Sequence, residues 1–208
     1  MWGSGVTREN SILGFLEQKL DPKGSYEIVN AAVVGYSTYQ ELLNLQQNIV
    51  PLKPNIVLVN FCENDLLPTE DPFKNARQIH VQYLNHLLED RNLKFTPQEE
   101  SGIKDLIRTF QSAELVWPAV NKFQEQSPDQ SDLAWKVFVL IPMARMAELS
   151  KKAGIRLIYL FIPPRGHSVL YAQAVEQLKK LLTEKRRGVP GSTSSAGPRL
   201  QRSYNHKK

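Results

Sequence analysis

Apolar and polar positions follow two rhythms along this chain. Ile12, Leu13, Leu16 and Leu20 recur at helical spacing after Thr7 and Asn10, and Asp21-Pro22-Lys23-Gly24 ends that helix. Tyr26–Val33 reads as a strand that breaks at Val34-Gly35-Tyr36-Ser37. Ser37 or Thr38 then caps a helix carrying Leu42, Leu45 and Ile49, closed by Pro51 and Pro54. Asn55-Ile56-Val57-Leu58-Val59-Asn60-Phe61 is apolar and rich in β-branched residues, which predicts a strand buried on both faces. Helix, strand, helix and strand joined by short connections predict right-handed crossovers and a parallel sheet.

From Pro68 to Pro128 the pattern turns polar, with two helices expected over about 74–90 and 97–110. Phe73, Tyr83, Phe110 and Trp117 are scattered through it. This stretch reads as an insertion or lid over the strand ends, or as a long helical crossover with no gating role. An amphipathic helix follows over residues 131–153, carrying Leu133, Val137, Leu140, Ile141, Ala144 and Leu149. Pro142 either kinks that helix or begins it, and Gly154 caps its end. Ile155–Ile162 is a third buried strand, ended by Pro163-Pro164-Arg165-Gly166-His167, and a last helix runs from about Ser168 to Lys185. After Gly188 the chain becomes Gly, Pro, Ser and basic residues, a composition that cannot bury enough apolar surface to order itself. The division expected is an α/β domain over 1–187 and a disordered basic tail over 188–208.

The chemistry concentrates where the second strand ends. Cys62-Glu63-Asn64-Asp65 falls at its carboxyl end, where open α/β sheets place their ligands. Asn64 offers an amide donor there, and Asp65 can cap a turn or orient a neighbour. The same residues also serve simply to turn a chain, so both readings stand at this point.

Three segments in order carry a resemblance. Gly3-Ser4-Gly5-Val6-Thr7 opens the chain, Asn30-Ala31-Ala32-Val33-Val34-Gly35-Tyr36-Ser37 follows, and Glu63-Asn64-Asp65 comes third. This series resembles the SGNH (GDSL-type) hydrolases, a family of esterases, lipases and carbohydrate acetylesterases, over roughly residues 1–185. The resemblance implies a flavodoxin-like, three-layer α/β/α fold with a parallel sheet and a helical insertion after the Asn64 strand. It also implies an oxyanion hole in which the Gly35 backbone N–H and the Asn64 side-chain amide are donors. The implied substrate is a small ester or an acylated carbohydrate or lipid, with no cofactor. Cys62 stands where the family usually has glycine.

Two blocks of the family pattern have no counterpart. Gly3-Ser4-Gly5-Val6 matches the turn that follows the Gly-Asp-Ser nucleophile, and Ser4 falls at that turn's variable position. The four histidines, His80, His86, His167 and His206, have Arg77, Tyr83, Pro164 and Ser203 three residues before them, so none completes Asp-Xaa-Xaa-His. His167 reads as a loop residue, and His80 and His86 as solvated residues of a polar helix. The expected architecture therefore lacks the family's first and last strands. Tyr26–Val33 and Asn55–Phe61 flank an empty central position, the chain tends to aggregate, and these 208 residues hydrolyse no short acyl ester. A non-catalytic binding domain on the same scaffold is the competing reading. A flavodoxin-like cofactor binder is disfavoured, because no phosphate-cradling glycine loop lies between a strand and a helix.

Composition adjusts this picture in three places. The formal charge of +5 comes from the tail, where positions 185–208 hold seven Lys or Arg and no acid. The remaining 19 basic and 21 acidic residues give positions 1–184 a net of −2, which gives no warrant for nucleic-acid binding. Cys62 is the single cysteine, excludes an internal disulfide and reads as a small core residue. No His, Cys or carboxylate cluster has metal-site spacing. The chain shows no apolar run of the roughly 20 residues a membrane span needs, and no signal peptide at its start.

Overall fold

Apolar spacing resolves into helices around one parallel strand pair in a computed structural model of the chain. The structure describes residues 7–20, 25–33, 35–62, 65, 76–112, 128–162, 172, 175–176 and 178–180. Helix α1 spans Ile12–Leu20, helix α2 Thr38–Asn44 and strand β1 Ile56–Phe61. Helices α3 (Ala76–Glu89) and α4 (Pro97–Ser112) follow. Helix α5 (Pro128–Trp135) passes through a π turn, Lys136–Leu140, into α6 (Ile141–Lys152), and strand β2 (Arg156–Phe161) comes last. Among the described residues the fold is mixed α/β, mostly helical, with a two-stranded parallel sheet. Its register runs from Ile56 opposite Arg156 to Phe61 opposite Phe161.

Two cores meet at one tyrosine. Tyr83, Leu84 and Leu87 of α3 and Ile103, Leu106 and Phe110 of α4 bury against Leu133, Val137 and Phe138. A second core joins Leu42 and Leu45 to Val59, Phe61, Met143 and Met146. Tyr39 packs on both, its ring stacked 3.8 Å from that of Tyr83. The two helices expected between Pro68 and Pro128 thus share a core with α5 and the π turn.

Local chemistry explains the ends and irregularities. Ser11 caps α1 by accepting the Gly14 N–H at 3.1 Å. Thr96 and Glu99 exchange reciprocal hydrogen bonds that start α4. Gly154, at φ 71°, ends α6, with Ile155 N–H donating to the Ser150 carbonyl and Gly154 N–H to that of Lys151. Pro142 stands in the first turn of α6, which begins at Ile141 directly after the π turn, where a missing N–H is tolerated. The π turn before it absorbs the change, and the Val137 carbonyl accepts the Tyr83 hydroxyl at 2.5 Å.

Several expectations require correction. Residues 25–33 form no strand, because a ladder needs a partner and no described strand pairs with them. β1 is buried on one face, not two. Val59 and Phe61 enter the core, whereas Ile56 is 56% exposed and the adjoining Ile158 and Leu160 are 37% and 39% exposed. β2 shows the same one-sided pattern. His80 is not solvated; it is fully buried between the rings of Phe110 and Phe138, with centroids 5.8 Å from each. His86 is exposed beside Glu89. The last helix is seen at residues 172, 175–176 and 178–180, with Leu178 in the second core. The expectations for Ser4, Asn64, His167 and the 188–208 tail lie outside the described residues.

Candidate functional site

The entry to α2 is fixed by side chains that the motif itself supplies. Gly35 adopts φ 79°, a left-handed conformation that costs an L side chain about 1–2 kcal/mol. A Cβ added there meets no heavy atom within 4 Å, so backbone conformation and not space demands the glycine. Two residues on, Ser37 is buried at the helix start. Its N–H and hydroxyl both donate to Gln40 Oε1, at 2.9 and 3.1 Å, which holds the first turn in place.

The next residue ties this turn to the sheet. Thr38, fully buried, donates its hydroxyl to the Asp65 carbonyl at 3.1 Å across 27 residues of sequence. Asp65 in turn accepts the Cys62 N–H on Oδ2 at 2.6 Å, while its own N–H donates to the Cys62 carbonyl at 3.1 Å. Cys62 and Asp65 are therefore held together just beyond β1, with α2 fastened to Asp65. Thr38, directly after the second motif segment, meets Asp65 of the third here. Asn64, the residue before Asp65, lies outside the described residues.

Burial makes this corner electrostatically unusual. Asp65 is 5% exposed, and loss of water raises its carboxyl from the ordinary 3.8 to about 6. Glu41, in the first turn of α2, is pushed well above the ordinary range, first by burial and then by the neighbouring Asp65 charge. Its Oε2 is buried with no hydrogen-bond partner. Burial also raises the Cys62 thiol, which keeps it protonated and unreactive near neutral pH. Cys62 itself is half-buried just beyond β1. From β2, the Tyr159 hydroxyl donates to the Met143 carbonyl at 2.9 Å and stays neutral for the same reason.

The structure thus brings together Thr38, Cys62 and Asp65, with Gly35 three residues before Thr38; of the expected oxyanion pair, Gly35 is described and Asn64 is not. Sequence gives Thr38 a weak signal, as a cap candidate. Glu41 gives none, because an acid in a first turn ordinarily faces water and complements the helix dipole. His80 and His86 belong to α3 and take no part. Among the described residues no group of His, Cys, Asp or Glu is arranged to hold a metal ion. None of their helices is long and apolar enough to cross a membrane.

No family model, no curated protein and no solved structure matches the chain.

Proposed function

We propose that this chain carries the oxyanion side of an ester hydrolase of the SGNH type, on a flavodoxin-like three-layer scaffold. The observation that carries the reading is the Thr38–Asp65 hydrogen bond. It fastens the left-handed turn at Gly35 to the carboxyl end of β1, where Asn64 adjoins Asp65 in sequence. Thr38, the residue after the second segment of the resemblance, is thereby tied to Asp65 of the third, 27 residues on. In this reading the Gly35 N–H and the Asn64 amide face a carbonyl oxygen as it becomes an oxyanion. Preorganised donors of that kind contribute about 3–4 kcal/mol each to the transition state. A serine attacks the acyl carbon and a histidine carries its proton to the departing alkoxide.

The 208 residues hold neither a serine nor a histidine at the family's positions. That favours, as a second reading, a binding domain that uses the scaffold without the chemistry. Coding sequence on either side of the chain, read for an in-frame Gly-Asp-Ser and Asp-Xaa-Xaa-His, distinguishes the two. The hydrolase reading expects an extended chain to cleave p-nitrophenyl acetate well above background and the 208-residue chain not to. A folded extended chain that cleaves no acyl ester would leave the binding domain.

A further inference from the structure

The carboxyl of Glu41 has no role in the site as described. It is an acid in the first turn of a seven-residue helix. Its Oε2 is closed off from water and lacks a hydrogen-bond partner, a costly arrangement for an ionised carboxylate. The groups that face it are Asp65 and Cys62 from the end of β1 and Tyr159 from β2. All three are neutral or negative.

Asp65 is the fixed member of this group. Its Oδ2 holds the Cys62 N–H, and its backbone carbonyl holds the Thr38 hydroxyl. Glu41 lies three residues beyond Thr38 on the same helix. A repulsion between the two carboxylates therefore acts across the junction that the Thr38–Asp65 hydrogen bond closes.

We propose that Glu41 is a positioning residue which, with Asp65, forms a pH-sensitive latch setting Gly35 against the end of β1. With Glu41 protonated, α2 stays fastened to the β1 turn. With both carboxyls ionised, the two like charges part, the Thr38 hydroxyl loses the Asp65 carbonyl, and the Gly35 turn shifts away from the sheet edge. The Cys62 N–H stabilises a charge on Asp65, whereas Glu41 Oε2 has no donor to stabilise one. The functional meaning rests on Gly35 as an oxyanion donor, whereas the latch itself rests on these contacts.

Amide hydrogen exchange on the 208-residue chain tests the latch without any hydrolysis assay. The probe is the Asp65 N–H, bonded to the Cys62 carbonyl. After correction for intrinsic base catalysis, its protection is expected to fall at least about tenfold between pH 6 and pH 9, the equivalent of one pKa unit. Glu41→Gln keeps the shape and removes the charge, so its protection is expected to change less than about twofold over that range, a fraction of a pKa unit. Thr38→Val removes the tie and is expected to lower protection at both pH values. Equal pH dependence in wild type and Glu41→Gln overturns the latch, as does a Glu41→Gln chain that fails to fold at pH 6. A failed hydrolase assay with this pattern intact would overturn the hydrolase reading alone.

Discussion

Asp65 is where sequence and environment part most sharply. In water its carboxyl is ionised above about pH 4; here, burial lifts it to about 6. The folded state therefore holds the proton more tightly than the unfolded chain. Stability from that proton is fully present below pH 4 and is lost as pH rises through about 6. A shift of two units corresponds to about 3 kcal/mol. The urea midpoint is expected to fall between pH 4 and pH 7, and Asp65→Asn, which keeps an acceptor for the Cys62 N–H, is expected to flatten that fall. A midpoint that rises over the same range in wild type would contradict the assignment. Gly35 gives a second test at this scale. Gly35→Ala is expected to cost about 1–2 kcal/mol from backbone conformation alone, since space is open around it. An unchanged melting temperature would show that the turn has another conformation.

Helix junctions carry much of what holds the elements together. Tyr83 of α3 donates to the carbonyl of Val137 in the π turn that leads to Pro142. Tyr83→Phe leaves that carbonyl buried without its partner and is expected to destabilise by about 1–3 kcal/mol, measured by chemical denaturation. A change below half of that would mean the π turn supports itself. At the α4–α5 junction, a Cβ on Gly102 would stand 2.4 Å from Leu133 Cδ2. Gly102→Ala therefore forces Leu133 aside, and the overpacking is expected to outweigh alanine's better helix propensity by about 1 kcal/mol or more. Ion pairs reinforce the same contacts: Arg145 of α6 reaches Asp90 at 2.5 Å, and Lys136 reaches Glu99 at 2.5 Å.

At the scale of the whole molecule, the helices were legible in the sequence and the sheet was legible in part. Periodicity placed α1, α3 and α4 within a few residues, because each carries an apolar stripe and a clear cap or stop. Val59 and Phe61 read correctly as core. Tyr26–Val33 misled because its composition suits a strand, while pairing depends on a neighbour that composition cannot supply. His80 misled in the opposite direction: a histidine among polar residues reads as solvated, and only the packing of α3 on α4 and α5 buries it. Glu41 was silent for the same reason.

The open face has a consequence for solution behaviour. Ile56, Ile158 and Leu160 lie exposed on one face of the sheet, and among the described residues β1 has no strand on its second edge. β1 carries no charge or proline to blunt that edge, so the chain is expected to self-associate. Ile158→Lys with Leu160→Lys should increase the monomer fraction in light scattering. If the pair leaves association unchanged, another surface drives it.

Turnover of an Asn64→Ala variant tests the central claim most directly, made in an extended chain that hydrolyses p-nitrophenyl acetate. Removing one oxyanion donor is expected to lower kcat by about 100- to 1,000-fold, with KM and melting temperature little changed. A kcat within a few-fold of the parent would show that Asn64 only turns the chain, and would remove it from the site.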